Sequence, residues 1–133
     1  MTTMREGGQW VIRAPGQADP LATQARVAAS MISRMVGLLG RRLLEDGEGL
    51  VILACRSIHT FFMRFAIDVV FTDGTWTVLR IHEAVQPWRV TAPVWGAAAA
   101  IELPAGTAGK CRLQVGDRLL FTPAEGQNRL DTP

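Results

Sequence analysis

The segment from Cys55 to Gly74, CRSIHTFFMRFAIDVVFTDG, constrains the fold more than any other part of the chain. It ends in Asp73-Gly74 between apolar, β-prone residues, a pattern that is typical of a tight hairpin. It also places a thiol, an imidazole, two guanidinium groups and carboxylates among four phenylalanines. Because unpaired polar groups are costly to bury, the segment predicts either a core strand with a polar end or the wall of a binding site.

Short apolar segments separated by turns predict several further strands. The predicted strands cover residues 10–13, 50–54, 61–72, 76–81, 101–103 and 118–122. Earlier in the chain, Val27, Met31, Met35 and Leu38 recur at helical spacing and predict an amphipathic helix over residues 23–36. One or two helical turns are also expected within residues 94–100. The fold class that follows is α+β, with one N-terminal helix packed on a small, mostly antiparallel, barrel-like sheet.

The length of 133 residues predicts a single globular domain over residues 9–122, with a flexible N-terminus at 1–8 and a flexible tail at 123–133.

A net charge of +2, from 14 basic and 12 acidic residues, argues against nucleic acid as a partner. No apolar run approaches the roughly twenty residues of a membrane span. No apolar leader segment is visible, so a cytoplasmic location is expected. The pattern leaves the oligomeric state open.

Six motifs occur in a characteristic order along the chain. They are RMVGLLGR at 34–41, GEGL at 47–50, CRSIHTFFMR at 55–64, IDVVFTDG at 67–74, ELPAG at 102–106 and GD at 116–117. In this order they resemble a bacterial and archaeal family of uncharacterised proteins, domain of unknown function 192, over residues 21–121. The resemblance implies a compact α+β domain with a barrel-like sheet, and it brings no established activity or cofactor. Ala66 stands where the family pattern usually has proline, so the strand entry is less constrained here.

Guanidinium and carboxylate groups in apolar segments predict a polar binding site. Planar guanidinium forks suit carboxylates, and a carboxylate as deep in apolar sequence as Asp68 needs a partner. We expect a site for a small polar or anionic ligand, or for a peptide. The residues expected to line it are Arg34, Arg41, His59, Phe61, Arg64, Asp68, Trp88 and Glu102. The alternative is that Asp68 forms a structural ion pair between the helix and the sheet.

The aromatic residues divide into two predicted groups. The phenylalanines at positions 61, 62, 65 and 71 are interpreted mainly as core residues. Trp88 and Trp95 follow prolines in a connecting segment, and we expect them to be partly exposed at a binding rim.

Two catalytic alternatives remain open from the sequence. Cys55 and His59 are candidates for a nucleophile and its base, but no residue that would orient the imidazole is evident. Asp68 and Glu102 are candidates for a paired-carboxylate site, if the fold brings them together. Neither set is complete, so no catalytic residue is predicted and binding is favoured over catalysis. An accessory protein of a secretion or envelope system is the alternative function.

The cysteines and histidines give no metal motif. Cys55, His59, His82 and Cys111 match none of the spacings of zinc fingers or ribbons, so no metal or other cofactor is predicted. A disulfide between Cys55 and Cys111 is an alternative that would require an oxidising compartment.

Overall fold

The computed structural model describes residues 8–28 and 44–124, and a seven-stranded sheet dominates them. Its strands are β1 (Gln9–Arg13), β2 (Ala22–Ala28), β3 (Glu48–Leu53), β4 (Ile67–Thr72), β5 (Val78–Val85), β6 (Ala99–Pro104) and β7 (Leu120–Pro123). The strand order is β5-β4-β6-β3-β2-β1-β7. Only β2 and β3 pair in parallel, so the prediction of a mostly antiparallel sheet is confirmed.

The predicted α+β class is wrong, because the described part of the chain is almost entirely β. Within it the one α-helix is α1 (Thr107–Lys110), far from the predicted N-terminal helix. The first residues of that predicted helix lie in β2, where Ala25 and Val27 are buried and Arg26 is exposed. This alternation is also compatible with a strand, and pairing with β3 decides the conformation. Residues 29–36 of the predicted helix lie outside the described residues.

The sheet is not a closed barrel, which is a second correction to the predicted architecture. Its two ends approach each other at an isolated bridge between Thr77 and Arg118. Hydrogen bonds between the start of β5 and the turn before β7 connect these two ends. Val78 N donates to Asp117 O at 2.8 Å, and Gly116 N donates to Val78 O at 2.8 Å. In the described ranges β7 pairs only with β1, so no continuous ladder joins β5 to β7.

Both faces of the sheet are covered, as the complete burial of β4 and β6 shows. Because successive side chains of a strand point to opposite faces, each central strand contributes to two cores. The first core includes Ile12, Val70 and Ile101. The second core includes Ile52 and Phe71 and is covered by the connections on either side of β4 and β5. The predicted helical turns within residues 94–100 are absent, since a turn at 95–96 leads into β6.

The predicted hairpin joins β4 to β5, and its turn is built around one carboxylate. Asp73 Oδ1 accepts hydrogen bonds from Thr75 Oγ1 at 2.8 Å, Thr75 N at 2.8 Å and Thr77 N at 3.1 Å. The turn is longer than two residues, because Asp73 N donates to Thr77 O at 3.0 Å. The hydrogen bond from the Thr75 hydroxyl, followed by the two backbone N–H groups, lowers the pKa of Asp73.

Candidate binding surface

Two loops that cover the second core form the candidate site. The first loop comprises residues 54–66 and the second loop comprises residues 86–97. They run antiparallel: His59 bridges Val90, Thr91 N donates to Ile58 O at 2.9 Å, and Val94 N donates to Arg56 O at 2.8 Å. The side chains that anchor the loops against the sheet are those of Cys55, Ile58, Met63, Val94 and Ala97. The outer sides of the loops are therefore presented to solvent by a rigid base.

A buried threonine fastens the tips of the two loops together. Thr60 Oγ1 donates to Gln86 O at 2.6 Å and accepts from Arg89 N at 2.9 Å. The Thr60 backbone adds two more bonds, since Thr60 N donates to Arg89 O at 2.8 Å and Trp88 N donates to Thr60 O at 3.0 Å. One side chain and one peptide unit thus fix the position of Trp88 relative to the first loop.

A second threonine repeats this arrangement further along the loops. Thr91 is buried, and its Oγ1 accepts a hydrogen bond from Ile58 N at 2.9 Å. Buried hydroxyl groups with satisfied hydrogen bonds make loops more rigid than their irregular backbone suggests.

The tips carry an exposed group of rings, which we call the aromatic surface: His59, Phe61, Phe62 and Trp88. The ring centroids of Phe61 and Trp88 are 5.8 Å apart, those of Phe62 and Trp88 4.8 Å, and those of His59 and Phe61 4.9 Å. Phe61, Phe62 and Trp88 are 37%, 58% and 56% exposed. Such a contiguous group of large apolar side chains on the outside of a domain is typical of an interaction site.

The backbone of the aromatic surface is strained at two positions. Phe62 has φ 67° and Trp88 has φ 63°, in the left-handed region that bulky residues rarely adopt. Residues held in this way cost on the order of 1–3 kcal/mol each and are concentrated at functional sites. The strain therefore favours a role for these two rings beyond filling space.

The structure brings together some of the predicted site residues. His59, Phe61 and Trp88 are in ring contact, and Arg64 is exposed two positions after Phe62. The expected exposure of Trp88 and Trp95 is confirmed. Arg34 and Arg41 lie outside the described residues. The binding role of these residues stays a prediction.

Asp68 lies away from the aromatic surface and binds backbone groups. Its side chain is fully buried, and Oδ1 accepts from Ala84 N at 2.8 Å. Oδ2 accepts from Gly106 N at 3.1 Å and from Ala108 N at 2.9 Å. Asp68 therefore joins an irregularity in β5, where Ala84 has φ 51°, to the beginning of α1. These contacts give Asp68 a structural role through peptide N–H groups; of the arginines expected as its partners, Arg34 and Arg41 lie outside the described residues.

Glu102 is also fully buried, but on the other face of the sheet. In the register of β4 and β6, Asp68 is opposite Leu103 and Glu102 is opposite Val69. Opposed residues share a face and neighbouring residues do not, so the two carboxylates point in opposite directions. The structure thus does not form the paired-carboxylate site, and neither carboxylate has a surface open to solvent.

The two cysteines are buried in different cores, and the pairing of Cys55 with His59 stays a prediction. Neither cysteine forms a disulfide; Cys55 lies in the second core and Cys111 in the first. Burial raises the pKa of the Cys111 thiol, the Asp19 carboxylate raises it further, and Lys110 opposes both. Burial, with a smaller effect of Arg80, lowers the pKa of His82. Throughout residues 8–28 and 44–124, no three His, Cys, Asp or Glu side chains are placed to hold a metal ion.

Two important parts of the surface were missed by the sequence analysis. Phe62 was interpreted as a core residue, which is wrong, and the joining role of Thr60 was not recognised. Alternation along a strand gives no signal for Phe62, because residues 61–62 form a turn and both rings are exposed. The contacts of Thr60 with residues 86–89 leave no local signal, because they depend on a partner loop distant in sequence.

A separate cavity of about 290 Å³ lies near the beginning of α1. Its polar lining includes Asp19, Asp46, Thr107 and Lys110. None of the six predicted site residues in the described part of the chain lines it.

Fold and site together define a single-sheet β protein that carries an exposed aromatic surface on two hydrogen-bonded loops. Residues 12–121 match the model of the DUF192 family, which is described as an uncharacterised ACR. The chain therefore belongs to this family, as the six sequence motifs predicted. No helix in the described residues has the length and hydropathy needed to cross a membrane.

Three similar proteins illustrate the family and its fold. A UPF0127 protein of Pyrococcus horikoshii is 32% identical over 99 residues, which cover 72% of this chain and 85% of that protein. A UPF0127 protein of Thermococcus sibiricus is 35% identical over 77 residues, which cover 58% of this chain and 49% of that protein, so the match spans about half of that relative. A solved structure from Sinorhizobium meliloti, provisionally named a transcription regulator, has a TM-score of 0.72 and covers 90% of this chain and 98% of that chain. At 21% identity, this last similarity shows the fold alone.

Proposed function

We propose that this protein is a non-catalytic binding module whose aromatic surface binds a peptide segment of a partner protein. The observation that carries the proposal is the contact of Trp88 with both Phe61 and Phe62 while all three stay exposed. Exposed aromatic anchors contribute a large share of the binding energy at protein interfaces. Because Thr60 holds both loop tips in place, little loop ordering is left for the moment of binding.

Binding without catalysis is supported by the position of the reactive groups. The carboxylates of Asp68 and Glu102 are fully buried on opposite faces of the sheet. The raised pKa of Cys111 keeps this thiol protonated, and a protonated thiol is a poor nucleophile. The exposed site offers ring surface instead, which recognises apolar side chains.

The proposal is tested with matched tryptophan variants. Peptides are selected from a random phage-displayed library on the immobilised protein, and their affinity is then measured by fluorescence anisotropy. Trp88→Ala should weaken binding by about tenfold or more, the effect expected of an anchor residue. Trp95→Ala is the control, since Trp95 is 82% exposed on the second loop outside the aromatic surface. If no peptide is selected, or if the two variants have equal effects, the proposal is wrong.

The cavity near α1 supports a second candidate function, the binding of a small polar ligand. Two carboxylates and one ammonium group, from Asp19, Asp46 and Lys110, line a space of about 290 Å³. This mixture of charges suits a zwitterion such as a free amino acid. A thermal-shift screen of the amino acids against wild type and Lys110→Ala tests it. A ligand that raises the melting temperature of both proteins equally does not use this cavity.

A further inference from the structure

We infer that the partner segment is acidic, so that the aromatic surface binds a peptide in which apolar anchors are flanked by Asp or Glu. This inference rests on the proposed function and specifies the chemistry of its partner. Its origin is a local imbalance of charge. The two loops carry three arginines, Arg56, Arg64 and Arg89, and they contain no Asp or Glu. The complete chain is nearly balanced, with 14 basic and 12 acidic residues, so the imbalance belongs to these loops.

The three arginines are exposed and lie along the hydrogen-bonded loop pair. Arg89 directly follows Trp88, and its backbone exchanges hydrogen bonds with Thr60. Arg64 follows the turn in which Met63 N donates to Thr60 O at 3.3 Å. Arg56 marks the opposite end of the loop pair, where its carbonyl accepts from Val94 N. Positive charge thus extends from the aromatic surface along both loops.

The chemistry of arginine favours carboxylates as partners of this surface. A guanidinium group binds a carboxylate through two parallel hydrogen bonds and can also lie against an aromatic ring. Charges at the rim of an apolar contact mainly raise the association rate and select against partners of the same sign. In an acidic segment with apolar anchors, the apolar side chains can contact the rings while the carboxylates bind the guanidinium groups.

Single-stranded nucleic acid also combines negative charge with stacking, but it fits this surface less well. Such ligands are bound along extended basic grooves that follow the phosphate backbone. Here the two loops carry only three arginines, and the protein as a whole carries only +2. A protein segment is therefore the occupant that the charges favour.

The test compares fluorescein-labelled peptides that share the same Trp and Leu anchors and differ only in their flanking residues. One peptide has Asp and Glu flanks, one has Gln flanks and one has Lys flanks; a labelled oligo(dT) strand is the fourth probe. We expect the acidic peptide to bind wild type about tenfold more tightly than the neutral one, and the basic peptide to bind most weakly. The advantage of the acidic peptide should decrease as salt is raised, because screening weakens exposed charge pairs.

Charge reversal on the protein provides the matched control. Arg89→Glu, or Arg64→Glu if the first variant is poorly folded by circular dichroism, should weaken the acidic peptide about tenfold and leave the neutral peptide within about twofold. Arg112→Glu makes the same change of charge at an exposed arginine outside the two loops, and it should alter neither affinity.

The outcomes separate this inference from the proposed function. If Trp88→Ala weakens all three peptides while the flanking charge makes no difference, the aromatic surface binds peptides and the inference of an acidic partner is wrong. The inference also fails if the basic peptide or oligo(dT) binds more tightly than the acidic peptide, or if Arg112→Glu acts as strongly as Arg89→Glu. If none of the three peptides binds while the library selection yields peptides that Trp88→Ala weakens, the inference is wrong and the proposed function stands.

Discussion

Asp68 illustrates what a single residue reveals in the sequence and what it does not. Its apolar neighbours predicted a carboxylate that must be paired, and the structure provides that pairing in full. The partners are backbone N–H groups of residues 16, 38 and 40 positions further along the chain. A peptide N–H has no signature in the sequence, so the search for a charged side chain suggested arginine. The need for a partner was predictable, whereas its identity depended on the fold.

Removing the Asp68 carboxylate should destabilise the protein strongly. Asp68→Ala leaves the N–H groups of Ala84, Gly106 and Ala108 without their acceptor; the hydrogen bond from Ala108 is buried and the other two are partly buried. At about 1–3 kcal/mol for each unsatisfied group, less what relaxation and water recover, we expect a loss of roughly 3–5 kcal/mol. Urea denaturation measures this loss. The control is Asp19→Ala at an exposed position, which should change the free energy of unfolding by less than about 0.5 kcal/mol. A similarly small change for Asp68→Ala would contradict the structural role of Asp68.

Asp73 gives stability a specific dependence on pH. Its pKa is lowered in the folded protein by the hydrogen bonds from Thr75 and Thr77, so folding favours the ionised carboxylate. This contribution is complete above the unfolded pKa of about 4 and is lost as pH falls through the lower folded value. Wild type should therefore exceed Asp73→Asn in stability by a constant amount near neutrality, and the difference should shrink below about pH 4. The urea midpoints of both proteins across this pH range measure the stability difference. A difference that grows as the pH falls would contradict the prediction.

At the scale of elements, the two loops are more ordered than their sequences suggest. The first loop was assigned in part to a strand over residues 61–72, yet β4 begins only at Ile67. Residues 86–93 of the second loop agree with the predicted irregular connection, whereas residues 94–97 were predicted to be helical and are not. The cross-loop hydrogen bonds of Thr60 and Thr91 have no local signal in the sequence, because each joins segments about thirty positions apart. Of the rings in the aromatic surface, only Trp88 was predicted at the binding rim, together with Trp95, and the contacts that hold it were not predicted.

Thr60→Val should release the loop tips while preserving side-chain shape. The substitution removes the hydroxyl that bonds Gln86 O and Arg89 N, which leaves a partly buried carbonyl and a partly buried N–H without this partner. We expect a loss of about 2 kcal/mol in the free energy of unfolding and weaker peptide binding, because the rings are no longer held in position. Thr122→Val, at an exposed position in β7, is the control and should be nearly neutral. Equal stability and unchanged affinity for Thr60→Val would show that its hydrogen bonds do not organise the surface.

At the scale of the whole molecule, the existence of strands was easier to predict than their arrangement. Predicted strands at residues 10–13, 50–54 and 101–103 correspond to β1, β3 and β6. The fold class failed at β2, because Val27 and its neighbours fit both a helical and an alternating period until the parallel partner β3 is known. The order of the strands in the sheet could not be predicted from local patterns, because β6 lies between β3 and β4, which come earlier in the chain.

The two cores should nevertheless unfold together, because both are attached to the same strands. Ile12→Ala in the first core and Phe71→Ala in the second each remove a fully buried side chain, at a cost of roughly 2–5 kcal/mol. Each variant should show a single transition at lower temperature, with coincident curves from far-ultraviolet circular dichroism and tryptophan fluorescence. Two separate transitions in either variant would mean that the faces of the sheet are independent units.

The pairing of β1 with β7 has a consequence for synthesis in the cell. Trp10 lies opposite Pro123 and Ile12 lies opposite Phe121, so one of the first strands to leave the ribosome must wait for one of the last. During translation, β1 can bind β2 early, but its other edge stays open until more than a hundred further residues have been added. A nascent chain stalled before residue 120 would expose that edge to other chains, and an unpaired strand edge favours aggregation.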